Sequence, residues 1–176
     1  MKDRLRSYLE DLDERQERML EANIFLLKLL GLGAVLHLVI YVSPDTAGIQ
    51  SAFASLIASI MNGLGFGFEA SGTLILGAPG TGYEITQDCL GWKSIAAFIG
   101  LVLATPAGNR ERLKAFALGV PGIALANILR VITTIYLSWT GILSFEVVHG
   151  FLWRWSLTAV VLVAWVLWTR ISKASV

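Results

Sequence analysis

Residues 115–139 read AFALGVPGIALANILRVITTIYLSW, an apolar run about 37 Å long as an α-helix at 1.5 Å per residue, against a bilayer hydrocarbon core of roughly 30 Å. One charged residue, Arg130, interrupts it. A guanidinium surrounded by hydrocarbon is costly, so the run reads as a membrane helix with a site built into its second half. Similar apolar runs occur at 24–42, 91–107 and 150–169. A weaker run at 49–64 is shorter and carries Gln50, Ser51, Ser55, Ser59 and Asn62, which suit an interfacial or re-entrant helix better than a lipid-facing span.

The whole chain agrees with that start. Of its 176 residues 55% are hydrophobic and only 15% charged, too few polar side chains to cover a water-soluble fold. A formal net charge of +1 offers nucleic acid nothing to bind, and none is expected as a partner. The basic residues instead gather at the ends of the apolar runs. Arg4, Arg6, Arg15 and Arg18 precede the first run, Arg110, Arg112 and Lys114 join the second strong run to the third, and Arg170 with Lys173 follow the last. Basic residues near span ends stay cytoplasmic, and the three groups share one side only if 49–64 does not fully cross.

The expected fold is therefore an all-α polytopic membrane protein. It has four full transmembrane helices, one interfacial or re-entrant helix, both termini inside, and 43–88 and 140–148 outside. Residues 1–23 space Leu5, Leu9, Leu12, Gln16, Met19 and Asn23 as a cytoplasmic amphipathic helix leading into the first span. Residues 24–176 form a single membrane-embedded domain. The amino terminus is too acidic, and too far ahead of the first apolar run, for a secretory signal peptide, and is expected to be retained. Between 66 and 88 glycine-rich turns surround 73–76 and 83–85, predicting a small extracytoplasmic β-hairpin. Its turn, Gly77-Ala78-Pro79-Gly80-Thr81-Gly82, has the glycines of a phosphate loop. Tyr83 stands where that loop needs lysine and Glu84 would repel phosphate, so it reads as a plain turn.

Cys89 is the chain's single cysteine, which excludes an internal disulfide and a cysteine-based metal cluster. No metal or cofactor is expected. A lone cysteine is either a small buried hydrophobe or a reagent. Here Asp88 is placed to cap the helix that follows, putting Cys89 in a first turn whose free N–H groups favour thiolate. Arg130 lies roughly 13 Å along its helix from Trp139. As structure it would be a cation held by a buried carbonyl or carboxylate; as function, the cation of a site. Asn127, three residues earlier, shares its face and is placed to hold the guanidinium. His149 opens the last span. With four spans, Cys89, Arg130 and His149 fall on the same extracytoplasmic side. Because 91–107 is short for the hydrocarbon, Cys89 is expected to sit below the surface, toward Arg130. Thiol, imidazole and guanidinium together suffice for nucleophilic acyl transfer. Arg154, five residues after His149, fits a supporting position or a lipid headgroup. His37 and Lys28 in the first span read as helix contact or snorkelling.

The stretches Asp88-Cys89-Leu90-Gly91, Leu125-Ala126-Asn127-Ile128-Leu129-Arg130 and His149-Gly150 resemble, in order and spacing, the motifs of the exosortase/archaeosortase family. The resemblance covers roughly 88–155 and marks the chain as a compact member. It implies a multi-pass cell-membrane cysteine transpeptidase or endopeptidase acting at the outer face. The implied substrates are exported proteins with a C-terminal sorting signal: a short motif, a transmembrane helix and a basic tail. The resemblance implies a Cys89 thioester, His149 exchanging protons, Arg130 stabilising negative charge, and transfer to an acceptor such as a lipid. Two rival readings remain: a small transporter or channel subunit with Arg130, His149 and Arg154 lining an anion path, or a non-enzymatic membrane assembly protein. The inner halves of the spans show little polar continuation beyond Lys28, as a path would need.

Overall fold

In a computed structural model the described residues are 2–42, 45–77, 80–144, 150 and 153–174. Helix α1 (Lys2–Val42) is 41 residues long, about 61 Å at 1.5 Å per residue, and contains the apolar run 24–42. Helix α2 (Ala47–Gly63) begins where the Asp45 carboxylate accepts the Ala47 N–H at 2.9 Å. It buries Ala54, Ile57, Ala58 and Met61, the three-and-four spacing of one helix face. Asn62 then clamps the chain as it leaves: its Nδ2 donates to the Phe68 carbonyl and its Oδ1 accepts the Phe68 N–H, both at 2.7 Å. One of the polar residues that makes 49–64 read as interfacial is thus used inside the protein, as a strand-like pairing partner.

Strands β1 (Glu69–Ser71), β2 (Leu74–Gly77) and β3 (Thr81–Glu84) form an antiparallel sheet in that order. Ile75 pairs with Ala70 on one side and Tyr83 on the other. The expected hairpin is therefore β2 and β3 of a three-stranded meander. The extra strand is too short to carry an alternation signal and exists because the Asn62 clamp delivers the chain alongside β2. Ile75 and Ile85 pack with Ile57, Met61, Phe68, Val131 and Ile135 into one core.

Helices α3 (Trp92–Ala104), α4 (Asn109–Trp139) and α5 (Trp153–Ala174) make the rest. With α1 they form a bundle in which α3 touches α1, α4 and α5. Its core is Phe98, Val102, Ala115, Ile123 and Val161. The backbone of Gly119 lies against the Phe98 ring; a Cβ there would fall 2.3 Å from it. Indoles tie the end of the bundle farthest from the sheet: Trp165 Nε1 donates to Thr105 Oγ1 at 3.0 Å and Trp168 Nε1 to the Glu111 carbonyl at 3.1 Å.

Two helices among the described residues are long and apolar enough to cross a membrane, Asn109–Trp139 and Trp155–Ser172. The expected span 91–107 is shorter than its composition suggests. Helix α3 has 13 residues, about 20 Å, because Gly91 turns the chain at its start and Thr105, held extended before Pro106, ends it.

Candidate active site

Cys89 sits in a 3-10 turn, Gln87–Leu90, between the sheet and α3. Its N–H donates to the Thr86 carbonyl at 2.9 Å. The Thr86 hydroxyl lies 3.5 Å from the Cys89 sulfur, within hydrogen-bonding range for sulfur. The expected cap is corrected here. Asp88 does not cap α3, which has no side-chain cap; the residue before its first turn is Gly91, in the left-handed region at φ 72°. Cys89 therefore precedes the helix rather than occupying its first turn. Asp88 instead pairs with Lys93 at 2.5 Å, with both side chains more than 60% exposed, an arrangement worth at most about 1 kcal/mol.

What fixes Cys89 is α4. Asn127 is 1% exposed, and its Nδ2 donates to the Cys89 carbonyl at 2.8 Å. A buried amide must find partners or forfeit about 1–3 kcal/mol, so this contact ties the 3-10 turn to α4. The tie needs Gly91 twice over: the left-handed turn disfavours any side chain, and a Cβ would meet Asn127 Cγ at 2.6 Å. On its other side Asn127 Oδ1 accepts a long, weak bond from Arg130 Nη1 at 3.4 Å. The Arg130 carbonyl accepts from the Thr134 hydroxyl at 2.9 Å.

Among the described residues, no carboxylate lies within ion-pair distance of Arg130. Cys89 and Arg130 line one narrow pocket of about 30 Å³ with Tyr83, Ile85, Val131 and Thr134. Cys89 also lines a wider cleft, about 520 Å³, bordered by Thr81, Gly82, Glu84, Thr86 and Ser138. Cys89 thus borders both the small pocket that Arg130 lines and the wider cleft. A guanidinium so placed can stabilise a thiolate or the oxyanion of a tetrahedral intermediate.

The level of the site follows from the two ends of α3. Gly91 abuts Asn127, while the Thr105 carbonyl accepts from Arg112 Nη2 at 3.1 Å. From Arg130 to Trp139 α4 continues for about 13 Å. Cys89 is therefore level with the body of α4 rather than with its end.

Of the residues expected to act together, Cys89, Asn127 and Arg130 meet; Asp88 lies beside them, facing solvent. His149 lies outside the described residues, as do the side chains of Arg154 and His37. Thr86 and the packing role of Gly91 were not found by sequence reasoning. A hydroxyl three residues before the cysteine was the available signal for the first, and the glycine two residues after it for the second.

The family model for transmembrane exosortases matches residues 16–167, a stretch that includes Cys89, Asn127, Arg130 and His149. No curated protein and no solved structure matches the chain.

Proposed function

The chain belongs to the transmembrane exosortase family, and from that premise we propose that it cleaves the C-terminal sorting signal of exported proteins at the outer face of the membrane through a Cys89 thioester. At family level it is a membrane transpeptidase that processes sorting signals. The observation that supports the finer reading is the chain of contacts from the Cys89 carbonyl through Asn127 to Arg130, with Cys89 and Arg130 lining one pocket.

In the proposed reaction the Cys89 sulfur attacks the scissile carbonyl carbon after its proton passes to His149. Arg130 stabilises the oxyanion, with the Asn127 amide holding the guanidinium in place. Collapse breaks the C–N bond. The amine leaves with the transmembrane helix and basic tail, taking the proton back from His149, and the substrate body remains as a thioester. An acceptor N–H or O–H, for instance from a lipid or water, then adds to the thioester, loses its proton to His149 and releases Cys89. Asp88 and Arg154 are proposed to act in support of these residues.

The test is co-expression with a substrate carrying the tripartite tail, scored by tail removal. Cys89→Ala and Cys89→Ser should abolish it, with loss of at least about 1,000-fold, as expected when a covalent nucleophile is removed. Undiminished tail removal by Cys89→Ala would sink the mechanism.

A further inference from the structure

Strand β3 is bonded along one side only, because the sheet ends there. Its register decides which backbone groups face outward. Leu74 opposes Glu84 and Ile75 opposes Tyr83, and just beyond them the Ile85 N–H donates to the Thr73 carbonyl at 2.8 Å. Bonded and non-bonded pairs alternate along an antiparallel ladder. Thr81, Tyr83 and Ile85 therefore turn their N–H and C=O groups toward β2, while Gly82 and Glu84 turn theirs away from it. Both of those residues are exposed, and among the described residues no backbone group bonds to their outward sides.

The direction in which this edge points gives it meaning. The cleft of about 520 Å³ is bordered by Gly82 and Glu84 as well as by Thr86 and Cys89. An unbonded main-chain edge and the cysteine thus border one cleft. The outward groups form two donor–acceptor sets about 6.6 Å apart, two strand residues at roughly 3.3 Å each, a spacing that another extended main chain matches. Such pairing draws on backbone and not on side chains. Gly82 leaves the rim low, with no side chain to bar entry.

We infer that the edge of β3 is the substrate-docking site: an extended segment of the substrate polypeptide outside the membrane adds as a fourth strand beside Gly82 and Glu84 and is thereby led to Cys89. This rests on the transpeptidase reading for the identity of the occupant. A second copy of the chain pairing edge to edge through β3 would instead seal the cleft over the thiol.

Disulfide trapping in the full-length protein separates these possibilities. A Cys89→Ala, Gly82→Cys protein is co-expressed with a tripartite-tailed substrate whose extracytoplasmic stretch carries one cysteine, moved a residue at a time. A Cβ at Gly82 meets only ordinary contact with Leu76, at 3.5 Å. Crosslinks are expected at every second substrate position, since strand side chains alternate between faces. They should fall about ten-fold when Glu84→Pro removes an outward N–H while leaving the β2 ladder intact, and persist with Glu84→Gln. Crosslinking that is absent or equal at all positions would overturn the docking site, as would a predominant Gly82→Cys homodimer. The periodicity is read without the proline variant, so its misfolding would not rescue the idea. Trapping needs no catalysis: tail removal by the Cys89→Ala protein would sink the transpeptidase reading, whereas a flat crosslink pattern sinks only the docking site.

Discussion

The helical bundle and the sheet unit of this protein each have a buried apolar core but are tied by different further contacts. In the bundle, formed by α1, α3, α5 and the first half of α4, contact comes from close backbone approach, Gly119 on Phe98 and Gly100 near Leu29, and from indole bonds to Thr105 and Glu111. Where lipid tails are as apolar as side chains, small residues and polar ties do the joining. The sheet unit, formed by α2, the strands and the second half of α4, has a compact core. Ile57, Met61 and Ile75 are fully buried there, as Phe98, Val102 and Ile123 are in the bundle, and its polar tie is the Asn62 clamp on Phe68. Cys89 lies at the seam, beside the sheet-unit core and tied through Asn127 to the helix both regions share. The site depends on the junction more than on either core.

If that is so, the largest effect should come from Gly91→Ala. The left-handed backbone and the clash with Asn127 together should cost about 2–5 kcal/mol, enough to reduce tail removal roughly 100-fold while both cores still form. Activity within three-fold of the parent would show that the seam does not set the geometry. Next is Asn127. Replacement by alanine removes the bond to the Cys89 carbonyl and the support of Arg130, with an expected loss of about ten- to 100-fold for 1–3 kcal/mol. Asn127→Asp keeps an acceptor for Arg130 but has no N–H for Cys89; comparable loss would identify the Cys89 tie as the part that matters, and recovery would shift the weight to Arg130.

Gly119→Ala tests the bundle alone. Overpacking against Phe98 should lower thermal stability in detergent by about 1–3 kcal/mol, yet leave maleimide labelling of Cys89 unchanged per folded molecule. A parallel loss of labelling would join the two regions into one cooperative unit. The smallest effect is expected from Thr86→Val, which keeps shape and removes the hydroxyl beside the sulfur. A few-fold fall in thioester formation, followed with an activated ester, is expected for about 0.5–1.5 kcal/mol.

The bundle's composition is legible in the sequence because a long apolar run constrains little except length, and length is what a bilayer selects. Arg130 stands out for the same reason, as a charge where charge is expensive, and Asn127 follows from helical spacing. The strand β1 and the Asn62 clamp were hidden, since a three-residue strand has no period and an asparagine's partner is six residues away in chain but set by a turn. The start of α3 misled because Asp88 fits the sequence rule for a helix cap, while Gly91 and the buried Asn127, distant in sequence, dictate where the helix begins. Sequence rules read neighbours along the chain, and this site is held by neighbours across it.

Helix α4 carries Ile123 in one core and Val131 in the other, with Asn127 and Arg130 between or beside them. Each core grips the helix at its own angle about the axis. A residue added between Ile123 and Val131 would turn one grip relative to the other by about 100°, a full residue step in a helix of 3.6 residues per turn. A change of helical phase in α4 would therefore be felt in both cores at once, because the helix is keyed in each like a shaft.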